Sequence, residues 1–277
     1  MEIVIRASMI PGYADCPRRA CIPIIRAAAE ETGYTFHDTP QGIGAAVGTG
    51  LHAGARYALE EKQAGRAVSK NDAEERSVCN LRETIKTGVQ WDPTTPEQNT
   101  AERQLRTLAR SFVDEVAPAV TPVIIESRRR AKFLDGVTIS GQPDVEEPGA
   151  ISDWKAGSKL GSHHGQLGAY SLLKRGGEGG TLTRLSVWHL PRVPARKPYP
   201  GARRHDLDVN VCERAAWATI QHIIRDVRQF TETKDPWAFQ ANPGSMLCSY
   251  KYCRAFGTSW CELTAPRATV SGSVGIQ

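Results

Sequence analysis

Residues 141–170 read GQPDVEEPGAISDWKAGSKLGSHHGQLGAY, and the rest of the chain is arranged around them. Asp144 is followed by the triplet Asp153-Trp154-Lys155 and then by Gln166 and Tyr170. Side chains two apart on a strand share a face, which places Asp153 beside Lys155. Pro148-Gly149 is a turn signal between the two acids, so the flanking runs are expected to fold back as antiparallel neighbours. Asp144 and Asp153 then lie side by side next to an ammonium. Carboxylates so placed hold a divalent metal, which lowers the pKa of bound water and offsets the charge that slows phosphodiester hydrolysis. A lysine beside them orients or deprotonates that water. Glu146 shares the Asp144 face if its strand is regular and is a secondary candidate. The plain alternative is a solvated ion pair on a surface strand, and for an isolated Asp-x-Lys triplet that alternative is the stronger.

Outward from this stretch, three strands are expected at about 122–133, 137–146 and 150–156, divided by Asp135-Gly136 and Pro148-Gly149. Before them, Leu105, Leu108, Phe112, Val113 and Val116 mark an amphipathic helix stopped by Pro118. A polar helix is expected over about 70–86. Another, at about 45–65, carries Val47, Leu51, Ala55, Ala58 and Leu59 on one face. Its glycines imply close packing against another backbone. Pro17 and Pro23 break the first 30 residues into short helices. After the strands come a helix at 163–174, a strand at 182–190 and a basic, proline-rich loop at 191–204. A long helix over 209–233 should turn Trp217, Ile220, Ile224, Val227 and Phe230 inward. This order of elements predicts one α/β domain.

Composition sets loose bounds. The chain has 277 residues, 40% hydrophobic and 23% charged, with a net charge of +5. That suits a soluble globular protein and permits a polyanionic partner without requiring one. No apolar run approaches the roughly 20 residues of a membrane span. The first residues, MEIVIRASMIPGYADCPRR, lack the features of a signal peptide, so a cytoplasmic protein is expected. Seven cysteines in such a compartment suggest metal or cluster ligation before a disulfide framework.

The ordered set His52, Glu126, Gly-x-Pro-Asp at 141–144, Asp-Trp-Lys at 153–155 and Gln-x-x-x-Tyr at 166–170 resembles the PD-(D/E)XK nucleases. The resemblance is to their RecB-like branch, which includes CRISPR-associated and phage exonucleases. It implies an α/β, restriction-endonuclease-like core: a central mixed sheet with an antiparallel meander, flanked by helices. It implies His52, Asp144 and Asp153 as metal ligands, with the Trp154 carbonyl adding an oxygen, and Lys155 as the catalytic base or water-positioning group. Gln166 and Tyr170 would contact DNA or buttress the site. Glu126 either joins the metal or is a surface strand acid. Each member has a bland alternative, His52 as a partly buried histidine and Gln166 with Tyr170 as helix packing; His163 and His164 are taken as solvated residues or phosphate contacts.

Cys248, Cys253 and Cys261 crowd LCSYKYCRAFGTSWC, and Cys16 lies in ADCPRRAC. Four thiolates hold either a [4Fe–4S] cluster or a zinc ion. Cluster-bearing members of the branch have one cysteine before the core, in a Ser-led segment ending Cys-Pro-Arg, and three after it. Ser8–Arg18 fits, although the C-x4-C-x7-C spacing is wider than the family's tightest form. The resemblance therefore implies a [4Fe–4S] cluster on Cys16, Cys248, Cys253 and Cys261, with zinc as the lesser alternative. Cys21 is a substitute for Cys16 that the Cys-Pro-Arg context disfavours; Cys79 and Cys212 are expected as small buried apolar residues. The implied organisation is one nuclease domain over 1–262, with its core at 45–200, a cysteine module from 8–30 and 245–262, and a flexible tail at 263–277.

Arg18-Arg19, Arg128–Arg130 and the arginines of 192–204 are scattered cations suited to phosphate. Tyr250, Tyr252, Phe256 and Trp260 either stack on bases or, as the preferred reading, form the core of the cysteine module. No phosphate-binding loop of the helicase type is present, so unwinding would need a helicase, recombination or CRISPR partner. The expected activity is Mg²⁺- or Mn²⁺-dependent DNA exonuclease action at single-stranded ends, without a membrane. The alternatives are a DNA-end-binding module that cuts poorly or never, and a zinc-stabilised regulatory protein with solvated acidic strands.

Overall fold

The computed structural model describes residues 2–178, 180–194 and 196–264. In chain order the elements are β1 (Ile3–Arg6), α1 (Ile10–Asp15), α2 (Pro17–Ala20), α3 (Ile22–Glu31), β2 (Gln41–Gly42), α4 (Ile43–Gln63), α5 (Lys70–Lys86), β3 (Val89–Gln90) and α6 (Gln98–Ser111). A π turn, Phe112–Val116, extends α6. There follow β4 (Ile124–Ile125), β5 (Arg129–Leu134), β6 (Val137–Gly141), β7 (Val145–Glu147), β8 (Ala150–Lys155), α7 (His164–Glu178), β9 (Arg184–His189), β10 (Arg203–Leu207) and α8 (Val209–Thr233).

The residues pack as two compact units. One comprises Met1–Pro11 with Pro40–His222, the other Gly12–Thr39 with Ile223–Gln277. The second contains all four cysteines of the implied cluster. The expected tail from 263 begins with Leu263 and Thr264 in a short 3-10 turn, and the rest lies outside the described residues.

In the first unit a five-stranded sheet has the order β10-β9-β8-β7-β4, with β8 and β9 parallel and the other pairs antiparallel. β8 is central, and all of it but Lys155 is buried; Ser152 donates to Glu147 and Asp153 pairs with Lys155, which offsets the cost of burying them. A second sheet has the order β1-β6-β5, β1 and β6 being parallel. α7 packs on β5, β6 and β8, and α4 with α5 and α6 forms a helical layer beside them.

The expected three-strand meander is therefore split between two sheets. The first strand breaks at Glu126, whose φ of 47° is incompatible with a strand. The second breaks at 142–144, where Pro143 lacks the N–H that a ladder needs. The hairpin β5–β6 then pairs with β1, while β7–β8 joins the larger sheet. The loop expected over 191–204 also ends early, because the charged run Arg203–Leu207 adds an edge strand through its backbone to β9.

Two glycines of α4, Gly50 and Gly54, make the expected close approach to the backbone of α5, whereas Gly48 faces open space. A methyl on Gly54 would lie 2.2 Å from Ser77 Oγ and 2.5 Å from the Ala73 carbonyl oxygen of α5. Trp217 departs from its expected inward place: it is 42% exposed and lies against Phe133.

Candidate active site

β8 brings Asp153 and Lys155 to one face, with Lys155 Nζ 2.5 Å from Asp153 Oδ2. Asp144 stands just before β7, beside β8. Its Oδ2 accepts the backbone N–H of Trp154 at 2.8 Å, so the two acids share a buried corner of the sheet. Trp154 fills the space behind them and meets Phe112 edge-on at 4.9 Å.

From the other side α4 presents His52, whose Nδ1 lies 3.2 Å from Asp144 Oδ1 and 3.3 Å from Glu126 Oε1. Glu126 reaches this point because its bent backbone donates its N–H to the Asp144 carbonyl at 3.0 Å. One donor atom each from His52, Glu126 and Asp144 fall within 4.8 Å of one another, a set of nitrogen and oxygen donors suited to a divalent cation. Asp153 is outside that group and faces Lys155. Glu126 thus occupies a ligand-like place although it is not on a strand, and no periodicity in the sequence points to it.

The charges reinforce one another. Burial opposes charge on His52, but Asp144 and Glu126 outweigh it and push its pKa up to about 10. Burial would raise Asp144, yet the His52 and Lys155 charges and the Trp154 N–H hold it below the usual carboxylate range. Asp153 has no such surplus: burial and the neighbouring Asp144 charge push it up to about 6. Burial disfavours the Lys155 ammonium, and the attraction of Asp153 and Asp144 overrides this and raises its pKa.

α7 covers the corner. Gln166 Nε2 donates to Tyr170 Oη at 2.8 Å, and both side chains are buried. Burial and the Asp153 and Asp144 charges raise the Tyr170 pKa, so its hydroxyl stays protonated. His163, expected as a solvated residue, is instead half-buried; burial and the Lys155 charge push its pKa down to about 4. Glu146 is engaged elsewhere, pairing with Arg129 and with Lys174 at 2.8 Å.

Several expected cations are structural. Arg18 is buried, bonds the Phe239 carbonyl and stacks on Trp237, while Arg19 pairs with Asp15. Trp260 is buried among Tyr34, Phe36, Phe230 and Phe239, the core role preferred from the sequence; Tyr250 and Tyr252 are exposed.

In the second unit Cys16, Cys248, Cys253 and Cys261 line one cavity. Burial raises the Cys248 and Cys253 thiols, and the neighbouring cysteines add to it. Thiolates gathered at one cavity are a donor set whose charge a cation would relieve. Among the described residues no three sulfurs lie within 4.8 Å of one another, a looser set than the edge of about 3.8 Å in a zinc tetrahedron built on 2.3 Å bonds. Cys21 does not line the cavity; its thiol donates to the Arg18 carbonyl. Cys79 is exposed on α5, contrary to expectation, and Cys212 is buried.

No protein-family model matches the chain, and no curated protein matches it in sequence. Among solved structures it is similar to the crystal structure of a "putative exonuclease" from Eubacterium rectale. The TM-score is 0.57 at 12% identity, over 89% of this chain and 87% of that one. At that identity the likeness is one of fold, a mixed α/β architecture shared over most of both chains.

Proposed function

We propose that the chain is a Mg²⁺- or Mn²⁺-dependent nuclease of the PD-(D/E)XK type that degrades DNA from single-stranded ends. The observation that carries this reading is the buried corner where Asp144, Asp153 and Lys155 meet His52 and Glu126. Two buried carboxylates side by side are costly unless a cation answers them, and the corner gathers a nitrogen and two oxygen donors at metal-binding separation. His52, Glu126 and Asp144 would hold the ion, with Asp153 and the Trp154 carbonyl completing its shell on the β8 side. When bound, the ion supplies a more acidic water and neutralises charge on the phosphate.

The protein's own groups do the rest. Lys155, kept protonated by its two aspartates, suits a cation that positions the attacking water and offsets developing negative charge, in preference to a base. Asp153 fixes the ammonium at 2.5 Å. Tyr170 and Gln166, buried and bonded to each other, wall the corner and suit a buttress of the site. The fold shared with the Eubacterium rectale "putative exonuclease" agrees with this reading. For the four-thiol cavity we infer a [4Fe–4S] cluster, and the support is the convergence of Cys16, Cys248, Cys253 and Cys261 on one cavity.

The test is degradation of end-labelled single- and double-stranded DNA with Mn²⁺, Mg²⁺ or chelator. Asp144→Ala, Asp153→Ala and Lys155→Ala should each lower the rate by about 10²–10⁴-fold. Metal-dependent degradation that persists in all three variants would sink the site.

A further inference from the structure

A cavity of about 440 Å³ lies between α6 and residues 191–194, 197 and 199, sharing no residue with the Asp144–Lys155 corner. Arg103, Arg106 and Arg110 line one wall, and Arg192 and Lys197 belong to the other. Among the described residues no carboxylate lines it. The three α6 arginines follow one another at spacings of three and four, so they form a single stripe of like charge. Such a stripe destabilises an isolated helix unless something answers it.

Acids behind the wall answer part of it. Arg106 lies 3.5 Å from Glu74 and from Glu75, Arg110 pairs with Glu74, and Arg192 pairs with Asp92 at 2.8 Å. These ion pairs pin three guanidiniums as a fixed surface. Among the described residues the Arg103 side chain bonds only the Thr100 hydroxyl, at 3.4 Å, and no acid pairs with it or with Lys197. A part-buried bond joins the walls: Gln104 Nε2 of α6 donates to the Val193 carbonyl at 2.8 Å, and it also bonds the Thr94 carbonyl at 2.9 Å. Leu108, Pro191 and Tyr199 add an apolar side. The volume falls in the roughly 300–1,000 Å³ range of small-ligand sites.

We propose that this cavity binds the phosphate of a nucleotide, either free or within a strand. Arg103 and Lys197 take the phosphate, and the apolar side accepts the sugar or base. The site stands apart from the cleavage chemistry and holds whether or not the chain cuts DNA.

Binding is measured on the full chain in EDTA, so that cleavage plays no part, using a short fluorescein-labelled single-stranded oligonucleotide and fluorescence anisotropy. The variants are Arg103→Glu, Lys197→Glu and the pair together; Arg228→Glu, an exposed arginine of α8 outside the cavity, controls for net charge, and thermal melts check folding. The double reversal is expected to weaken oligonucleotide binding about 10–100-fold at low salt. It should also flatten the salt dependence by about 1.4, roughly 0.7 for each of the two single-strand phosphates that Arg103 and Lys197 would otherwise neutralise. ATP that displaces the oligonucleotide from the wild type but not from the variant assigns the cavity to a free nucleotide; failure of ATP to compete assigns it to a strand. A folded double variant that binds the oligonucleotide and ATP as the wild type does, or a weakening that Arg228→Glu reproduces, overturns the proposal.

Discussion

Metal affinity at the His52 corner should depend steeply on pH, and the steepness reports which acids bind the ion. A histidine ligand must be neutral, so an entering ion displaces the proton that Asp144 and Glu126 hold on His52. With that pKa at about 10, the neutral form at pH 7 is about one part in a thousand. Apparent Mn²⁺ affinity should then rise about tenfold per pH unit from 7 towards 9. The sign for folding runs the other way: the raised pKa stabilises the metal-free protein fully below the unfolded value near 6.5 and fades as pH climbs through about 10. Asp153, pushed up to about 6, adds a second proton to displace below that pH if it too binds the ion. The slope of log affinity against pH should steepen from one to two on going below about 6, and stay at one if only His52, Glu126 and Asp144 are ligands. Electron paramagnetic resonance of free Mn²⁺ gives the affinity directly across this range, from about one pH unit below the Asp153 value to well above neutrality. His52→Gln should flatten the upper segment. A wild-type affinity that stays flat from neutral pH upward would refute the charge arrangement described for His52.

Packing and the thiol cavity give further tests. Gly54→Ala places a methyl against Ser77 and Ala73 of α5 and should cost about 1–3 kcal/mol, more than the helix-propensity gain of up to about 1 kcal/mol. Gly48→Ala, in the same helix with open space around the site of its new methyl, keeps the gain and should raise the melting temperature. Calorimetry on both variants separates the two effects, and a stabilised Gly54→Ala would contradict the close α4–α5 approach. Cys16→Ala should abolish bound iron and visible absorbance in protein purified without air, whereas Cys21→Ala should retain both; equal loss from the two would remove the distinction between them.

How much of this is legible in the sequence depends on whether a feature is local. The ends of α5 are legible because its signals are local: Ser69 caps it by accepting the Asp72 N–H, and Lys86 closes its last turn. The turn at Gly149 and the shared face of Asp153 and Lys155 follow from two-residue alternation and a proline-glycine pair. The strand breaks are less accessible. Pro143 is in plain view, but its effect depends on β6 finding β1 as a partner, and nothing within 137–146 specifies that. β10 escapes a reading of periodicity for a related reason: an edge strand is held by backbone pairing to β9 and needs no apolar alternation of its own.

Glu126 shows where local reading ends. Its identity as an acid near the site is visible in the sequence; its geometry is not. A strand would alternate it to one face or the other. The chain instead bends at φ 47°, and that bend is held by a hydrogen bond from the Glu126 N–H to the carbonyl of Asp144, itself a site acid. The bend and the carboxylate cluster are therefore one arrangement: Asp144 offers its carbonyl to the backbone of Glu126, its side chain to Trp154 and His52, and so gathers three separated segments at a point. Positive φ at a residue other than glycine costs energy and persists where the surroundings hold it in place. Here the same bonds that hold it bring the donors together, so replacing Glu126 with Gly would ease the backbone while removing a donor, and replacing it with Gln would keep the shape while removing the charge. The first variant should fold at least as well as the wild type and the second should keep the bend, yet both should bind Mn²⁺ less tightly, which separates the conformational role of position 126 from its chemical one.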